Sequence, residues 1–214
     1  MRNTQRFAFL LIAALVGSLL AAPMASAAVT LKKGSEGGDV WDLQYRLKTL
    51  GLYEIAMDGK FGDHTEKAVR RYQRQYGLPV DGIVGPKTWA SLKKFTLNQS
   101  EMDMLARVIH GEARGEPYVG QVAVGAVVMN RLRSPQFPDN IKDVIFQPRA
   151  FTAVDDGQYW LTPNRTAYLA ARDAVRGWDP TNGSLYYFNP ETATSKWIWT
   201  RTQTVKIGNH IFAK

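Results

Sequence analysis

An eight-residue segment occurs twice in the first half of the chain and restricts what that half can become. Asp58-Gly59-Lys60-Phe61-Gly62-Asp63-His64-Thr65 returns as Asp81-Gly82-Ile83-Val84-Gly85-Pro86-Lys87-Thr88. Each copy reads as a turn that opens a helix, because Asp bonds its own downstream backbone and Gly accepts positive φ. After the first turn, Asp63 and Glu66 have capping-box spacing, Val69, Tyr72 and Tyr76 share one face, and Gly77 ends the helix. After the second, Pro86 suits the first helical position and Trp89 and Leu92 face inward. An earlier helix carries Val40, Leu43, Leu47 and Leu50 at the same kind of spacing, with Asp39 as its expected cap. Residues 28–95 therefore read as a compact three-helix module of about 65 residues, near the lower size limit for folding alone.

Ahead of this module, Arg2 and Arg6 precede an apolar run from Phe7 to Ala22, then Pro23 and the small residues Ala25-Ser26-Ala27. Residues 1–27 read as a secretory signal peptide cleaved after Ala27. A retained membrane anchor is the competing reading, although the run contains Gly17 and Ser18 and stops short of the ~20 apolar residues that span a bilayer. Removing the segment deletes two arginines and no acid, so the formal charge falls from +8 to +6. A basic exported protein favours anionic wall polymers or lipid headgroups over nucleic acid. The chain has no cysteine, so neither a disulfide framework nor a thiolate metal site is available.

Thr96 to Ser100 reads as a short polar bridge, with a second domain over 101–214. Ser100 and Asp103 again have capping-box spacing, and Leu105, Val108 and Ile109 form the stripe of a first helix. Pro117 opens a second, with Val119, Val122, Ala123, Ala126 and Val127 at helical intervals. Pro163 opens a third, which runs through Ala167, Ala170, Ala171 and Ala174 to Gly177. Beyond it, Leu185-Tyr186-Tyr187-Phe188, Trp197-Ile198-Trp199, Thr204-Val205-Lys206-Ile207 and His210-Ile211-Phe212 read as short strands between Asn, Pro and Gly turns. Helices followed by a small antiparallel sheet make this domain α+β.

Continuing the first helix's stripe from Leu105 by three, four and seven residues gives Val108, Ile109 and Glu112. A carboxyl on that apolar side loses solvation, and near a helix C-terminus it meets the negative end of the dipole; both effects favour the protonated form. A carboxyl protonated near neutral pH can donate to a leaving oxygen, as the acid does in glycosidic cleavage. The competing reading ends the helix earlier and leaves Glu112 in solvent or paired with Arg114.

Two resemblances add to this. The first module carries Gly-Ser-x-Gly-x-x-Val, Leu-x-x-Leu-Gly, Asp-Gly-x-Phe-Gly and Gly-Leu-x-Val-Asp-Gly-x-Val-Gly-x-x-Thr-Trp in order. Over its whole length it resembles the type 1 peptidoglycan-binding domain. The second domain carries His110-Gly111-Glu112-Ala113-Arg114-Gly115-Glu116-Pro117-Tyr118, then Gly120-Gln121-Val122-Ala123-Val124 and Asn130-Arg131. Gln147-Pro148-x-Ala150-Phe151, Asp156-Gly157-Gln158, Gly177-Trp178-Asp179-Pro180-Thr181, Tyr187-x-Asn189-Pro190 and Ala193-Thr194-x-x-Trp197-Ile198 follow. This series resembles the spore cortex-lytic hydrolases of the SleB type.

The resemblance implies a lysozyme-like α+β catalytic domain behind the three-helix binding domain, with Glu112 in the place of the family's catalytic glutamate. It also implies lytic transglycosylation of spore-cortex peptidoglycan during germination, in which the muramic C6 hydroxyl replaces water and leaves a 1,6-anhydro end. Cortex strands carrying muramic δ-lactam are the implied substrate, and a companion spore protein controlling activity remains open. No cofactor, metal or nucleic acid is expected.

Muramidase or glucosaminidase hydrolysis of the same strands is the alternative, and the usual routes need a second acid about 5–10 Å from the first. Asp155, Asp156, Asp179 and Glu191 are available in loops, while the direction of Glu116 is unreadable beside Pro117. The second half is rich in aromatics: Tyr159, Trp160, Trp178, Tyr186, Tyr187, Trp197 and Trp199. Gln158, Asn189 and Thr194 lie among them and, with Tyr187 and Trp197, are the candidate substrate contacts. A zinc amidase would need convergent histidines, and His64, His110 and His210 do not form a His-Glu-x-x-His pair. A wall-binding protein without catalysis is the non-enzymatic alternative.

Overall fold

The computed structural model of the chain describes residues 29–214, so the signal peptide expected over 1–27 lies outside the described residues. Three helices form first: α1 (Gly38–Thr49), α2 (Asp63–Gln75) and α3 (Pro86–Phe95). Their inward stripes meet in one core that includes Leu31, Val40, Leu43, Leu47, Phe61, Val69, Tyr72, Trp89 and Leu92. The sequence repeat is also a repeat in space. The side-chain amide of Gln44 donates to Asp58 at 2.8 Å and accepts from the Asp58 and Gly59 N–H groups at 3.0 Å. Gln73 does the same for the second turn, donating to Asp81 at 2.7 Å and accepting from the Gly82 N–H at 2.9 Å. Gly59 and Gly82 take φ values of 68° and 73°, which explains the glycine at the same place in each copy.

The caps differ from expectation. The residues before α1 and α2 are Gly37 and Gly62, and neither Asp39 nor Asp63 bonds a backbone N–H as a cap. The glycines hold the cap position, so the acids fall inside the first turn, where they complement the dipole instead.

The longest helices follow: α4 (Gln99–Ala113) and α5 (Tyr118–Arg133). The capping box of α4 uses Asn98 and Glu101, two residues ahead of the Ser100–Asp103 pair read from sequence. Asn98 Oδ1 accepts from the Glu101 N–H at 2.8 Å, and Glu101 Oε2 accepts from the Asn98 N–H at 2.7 Å. The bridge expected at 96–100 is correspondingly shorter, since Gln99 and Ser100 are already helical and Thr96 and Leu97 are buried. Leu97 packs into the core of the second domain, and Thr96 is held by Arg46, which is only 2% exposed. Its guanidinium donates to Asp42 at 3.1 Å, to the Thr96 carbonyl at 3.0 Å and to Glu101 at 3.0 Å. One buried charge thus joins α1 to the first turn of α4.

Two short helices, α6 (Ile141–Ile145) and α7 (Thr152–Asp155), and a 3₁₀ turn at Gln158–Trp160 lead to α8 (Arg165–Val175). α8 begins two residues after Pro163, behind an Asn164 cap whose Oδ1 accepts from the Ala167 N–H at 2.9 Å. The small residues Ala167, Ala170, Ala171 and Ala174 are buried, as expected, while Val119 is exposed at the start of α5. A Cβ on Gly125 would come within 2.9 Å of Ile109 and 3.0 Å of Ala174, so α4, α5 and α8 touch closely there.

The chain ends in β1 (Tyr186–Phe188), α9 (Lys196–Trp199), β2 (Gln203–Ile207) and β3 (His210–Ala213). The sheet is antiparallel in the order β1-β3-β2, with Tyr187 opposite Phe212. Phe212 packs with Ala123 and Val127, which seats the sheet on α5. Trp197-Ile198-Trp199 is therefore a helical turn and not the strand expected. Only Ile198 is buried, with both tryptophans exposed, and that out-in-out pattern fits a strand and a single turn equally well.

Candidate active site

Glu112 occupies the last turn of α4, and a cavity of about 780 Å³ opens in front of it. Gln158, Tyr187, Asn189, Thr194 and Trp197 all line the same cavity. They arrive from the 3₁₀ turn, from β1 and the loop after it, and from α9. A second cleft of about 700 Å³ lies between α3 and the end of α5, walled by Lys93, Lys94 and Arg133, with Asp139 its one acid.

Glu112 is held at both oxygens. The Ala153 N–H donates to Oε1 at 2.5 Å and the Tyr187 hydroxyl donates to Oε2 at 2.8 Å. Ala153 lies in the first turn of α7, so its N–H has no partner within its own helix and is free for Glu112. Burial pushes the Glu112 pKa above the ordinary carboxylate value, against the pull of these two hydrogen bonds, and the Asp156 carboxylate adds to the push. Burial also drives the Tyr187 phenol well above its ordinary range, so it stays neutral. Its hydroxyl is spent on Glu112, which makes Tyr187 an orienting group for the acid more than a sugar contact.

The other expected contacts differ in how free they are. Gln158 donates its amide to Asp156 at 2.5 Å, while the Asn189 side-chain oxygen accepts from the Glu191 N–H at 2.9 Å. Thr194 is exposed on the cavity wall, and Trp197 stands 52% exposed with its ring edge-on to Tyr186 at 5.1 Å. Of the remaining aromatics named from sequence, Tyr159 is buried in the core, whereas Trp160, Trp178 and Trp199 are exposed.

Among the acids considered as a second carboxyl, Asp155 alone lines this cavity. Asp179 accepts from Asn130, Thr181 and Gly183 and ties down the loop before β1. Glu116 accepts from Asn209 at 2.9 and 3.0 Å in the β2–β3 turn. Among the described residues no three His, Asp or Glu side chains converge as a metal site requires.

Arg131, Arg149 and His210 also line the cavity, and sequence reasoning assigned none of them a place in the site. Arg131 carried a usable signal, because it is a charged residue at the end of an otherwise apolar helix that is buried on all faces from Gly120 to Met129.

Gly111 explains how α7 comes so near. A Cβ there would lie 2.5 Å from the Cβ of Ala153. Gly111→Ala should therefore displace α7 and pull the Ala153 N–H away from Glu112. Overpacking of this kind costs about 1–3 kcal/mol, more than the ~1 kcal/mol that alanine gains over glycine in a helix. Thermal melting should show a net loss of stability, with activity falling further than the lost folded fraction explains. An unchanged melting temperature with full activity would contradict the packing described.

Known proteins resemble the chain along most of its length. The cell wall hydrolase family matches residues 115–213, beginning three residues after Glu112, and the peptidoglycan binding domain family matches 36–92. The spore cortex-lytic enzyme of Bacillus cereus is 46% identical over 222 residues, covering 86% of each chain. That of Bacillus subtilis is 35% identical, covering 86% of this chain and 89% of its own. The catalytic domain of the germination-specific lytic transglycosylase SleB from Bacillus anthracis is 62% identical, with a TM-score of 0.53. It covers 55% of this chain and 97% of its own. With 46% identity to the Bacillus cereus enzyme over 86% of its length, the chain belongs to the family of spore cortex-lytic enzymes.

Proposed function

We propose that the chain cleaves the glycan strands of spore-cortex peptidoglycan as a lytic transglycosylase, with Glu112 as its acid. The observation that carries this reading is a carboxyl kept toward its protonated form at the wall of a 780 Å³ cavity. In the first half of the reaction Glu112 gives its proton to the glycosidic oxygen as the C1–O bond breaks. The muramic C6 hydroxyl then bonds to C1 and returns its proton to the Glu112 carboxylate, which restores the acid. One carboxyl suffices, because donor and acceptor are the same group at different times. Tyr187 and the Ala153 N–H stabilise the carboxylate in the interval between the two transfers.

Gln158, Asn189, Thr194 and Trp197 are assigned to substrate contact. Residues 28–95 are assigned to wall binding and 101–214 to catalysis, joined through 96–100. The basic charge and the leader-like residues 1–27 support export to the cortex. Resemblance supports strands carrying muramic δ-lactam as substrate and a companion spore protein as the control on activity.

Hydrolysis is the second reading, favoured by Asp155 on the same cavity wall. Mass spectrometry of fragments released from purified cortex separates the two. Anhydro-muramic ends are the expected product. Reducing ends would make the enzyme a hydrolase and direct attention to Asp155, and free stem peptides would overturn glycan cleavage altogether.

A further inference from the structure

The cavity that holds Glu112 is also lined by two arginines with no substrate contact assigned so far, Arg131 and Arg149, the first of which also acts through space on the Glu112 carboxyl. Arg131 lies in the last turn of the buried helix α5 and is only 6% exposed. Its Nε donates to the Leu185 carbonyl at 2.7 Å. Its guanidinium lies over the rings of Phe151, Phe137 and Tyr186 at 4.9, 5.2 and 5.6 Å. Among the described residues no carboxylate pairs with it, and the Nε bond is its sole side-chain hydrogen bond.

Burying most of a guanidinium with no carboxylate bonded to it is costly, even with the Glu112 carboxyl near enough to act on it through space, and methionine or leucine would fill the same aromatic cage without that cost. The cage and the Leu185 carbonyl fix the plane of the group while leaving its terminal nitrogens without a protein partner. Arg149 is unusual in a different way. Its φ of 62° is one of two positive values at non-glycine residues among the described residues, and side chains are rarely tolerated there. It is exposed at the cavity and, among the described residues, forms no ion pair. Burial without a bonded counter-ion and backbone strain are both features that folds tolerate where a ligand binds, and here they meet in one cavity.

Planar guanidinium donors match a carboxylate better than any neutral sugar group. The glycan backbone is itself uncharged, and the carboxylates of peptidoglycan sit on the peptides attached to muramic acid. We propose that Arg131 and Arg149 form a subsite for the carboxylate of a peptide substituent on a muramic residue beside the bond cleaved at Glu112. The subsite rests on the glycan-cleavage reading, since it positions a strand for that acid.

The test offers the full chain two soluble glycan fragments, one with free peptide carboxylates and one with those carboxylates converted to amides by carbodiimide and ammonia. In the wild type, amidation should raise KM by at least about tenfold and change kcat much less, because a charge-assisted contact is lost before chemistry begins. Arg149→Gln should raise KM for the native fragment by a similar factor and become indifferent to amidation. Arg149→Gly, which suits the positive φ, should lose the same preference with an unchanged or higher melting temperature, which separates the effect from misfolding. Arg131→Lys keeps the charge without the planar fork and should show a partial loss of preference. Should it fail to fold, the Arg149 variants still decide.

Equal kinetics on both fragments in the wild type, or an undiminished preference in both Arg149 variants, would overturn the carboxylate subsite and leave glycan cleavage standing. Failure of the wild type to cleave either fragment would overturn glycan cleavage, and the subsite with it.

Discussion

Glu112→Gln is expected to reduce cortex cleavage by at least about 10²-fold, within the ~10²–10⁴ range that general acid catalysis contributes, while wall binding is unchanged. The amide keeps the shape of the side chain and can still accept from the Ala153 N–H, but it has no proton to give. The wild-type rate should fall as pH rises through the Glu112 pKa, and that limb should lie above the ordinary carboxylate value of 4.5 because burial raises it.

The variant should instead gain stability over the wild type. A carboxyl whose folded pKa is raised binds its proton more tightly when folded, so the wild type is most stable below 4.5 and loses that contribution as pH climbs through the raised value. Glu112→Gln does not titrate. Its melting temperature should gain on the wild type between pH 4.5 and neutrality. Glu116→Gln is the control, a nearby acid engaged with Asn209 and given no proton to transfer. A folded Glu112→Gln enzyme that digests cortex at the wild-type rate would refute the mechanism and make Asp155 the next acid to test.

Arg46→Met should produce the largest loss of folding stability, about 3 kcal/mol, at the lower end of what breaking a buried ion pair costs. The low end applies because Asp42 and Glu101 are 30% and 28% exposed and can recover some hydration once the cation is gone. The Thr96 carbonyl also loses its donor in a buried segment. Chemical denaturation measures the loss directly. Since a buried guanidinium is poorly screened, the deficit should persist in high salt. A cost below about 1 kcal/mol, the range of an exposed pair, would show that Arg46 does not join the two modules as described.

The helices were legible because their information is local. Pro86 at a first position and alanines at helical spacing each point to one answer, and the structure adopted it. The caps slipped by one or two residues because a glycine or asparagine just upstream held the cap position, and spacing alone does not say which candidate wins. Trp197–Trp199 failed for a different reason. Three residues carry too little periodicity to separate a strand from a turn, and the neighbours that decide it come from β1 and from Arg201.

The stripe in α4 exposed Glu112, and the apolar run of α5 exposes Arg131, an ionisable residue at the end of a helix buried on all faces. Arg149 gave no such signal, because its distinguishing feature is a backbone angle. The Ala153 N–H could not be read either. It is a backbone group, delivered to Glu112 only because Gly111 leaves room for α7.

The junction between the modules has a consequence for how the enzyme searches an insoluble polymer. Leu97 is buried, Asn98 already caps α4, and eleven residues of unbroken helix, roughly 16 Å at 1.5 Å per residue, separate Glu101 from Glu112. A flexible tether would let an anchored copy sweep a volume and attack many bonds from one foothold. This chain has no such slack. An anchored copy reaches only the bonds that its fixed geometry presents, and each new stretch of strand requires the first module to let go. The residence time of that module therefore sets a ceiling on turnover at the wall, and substitutions that tighten wall binding beyond this point should slow digestion of cortex while leaving cleavage of soluble fragments untouched.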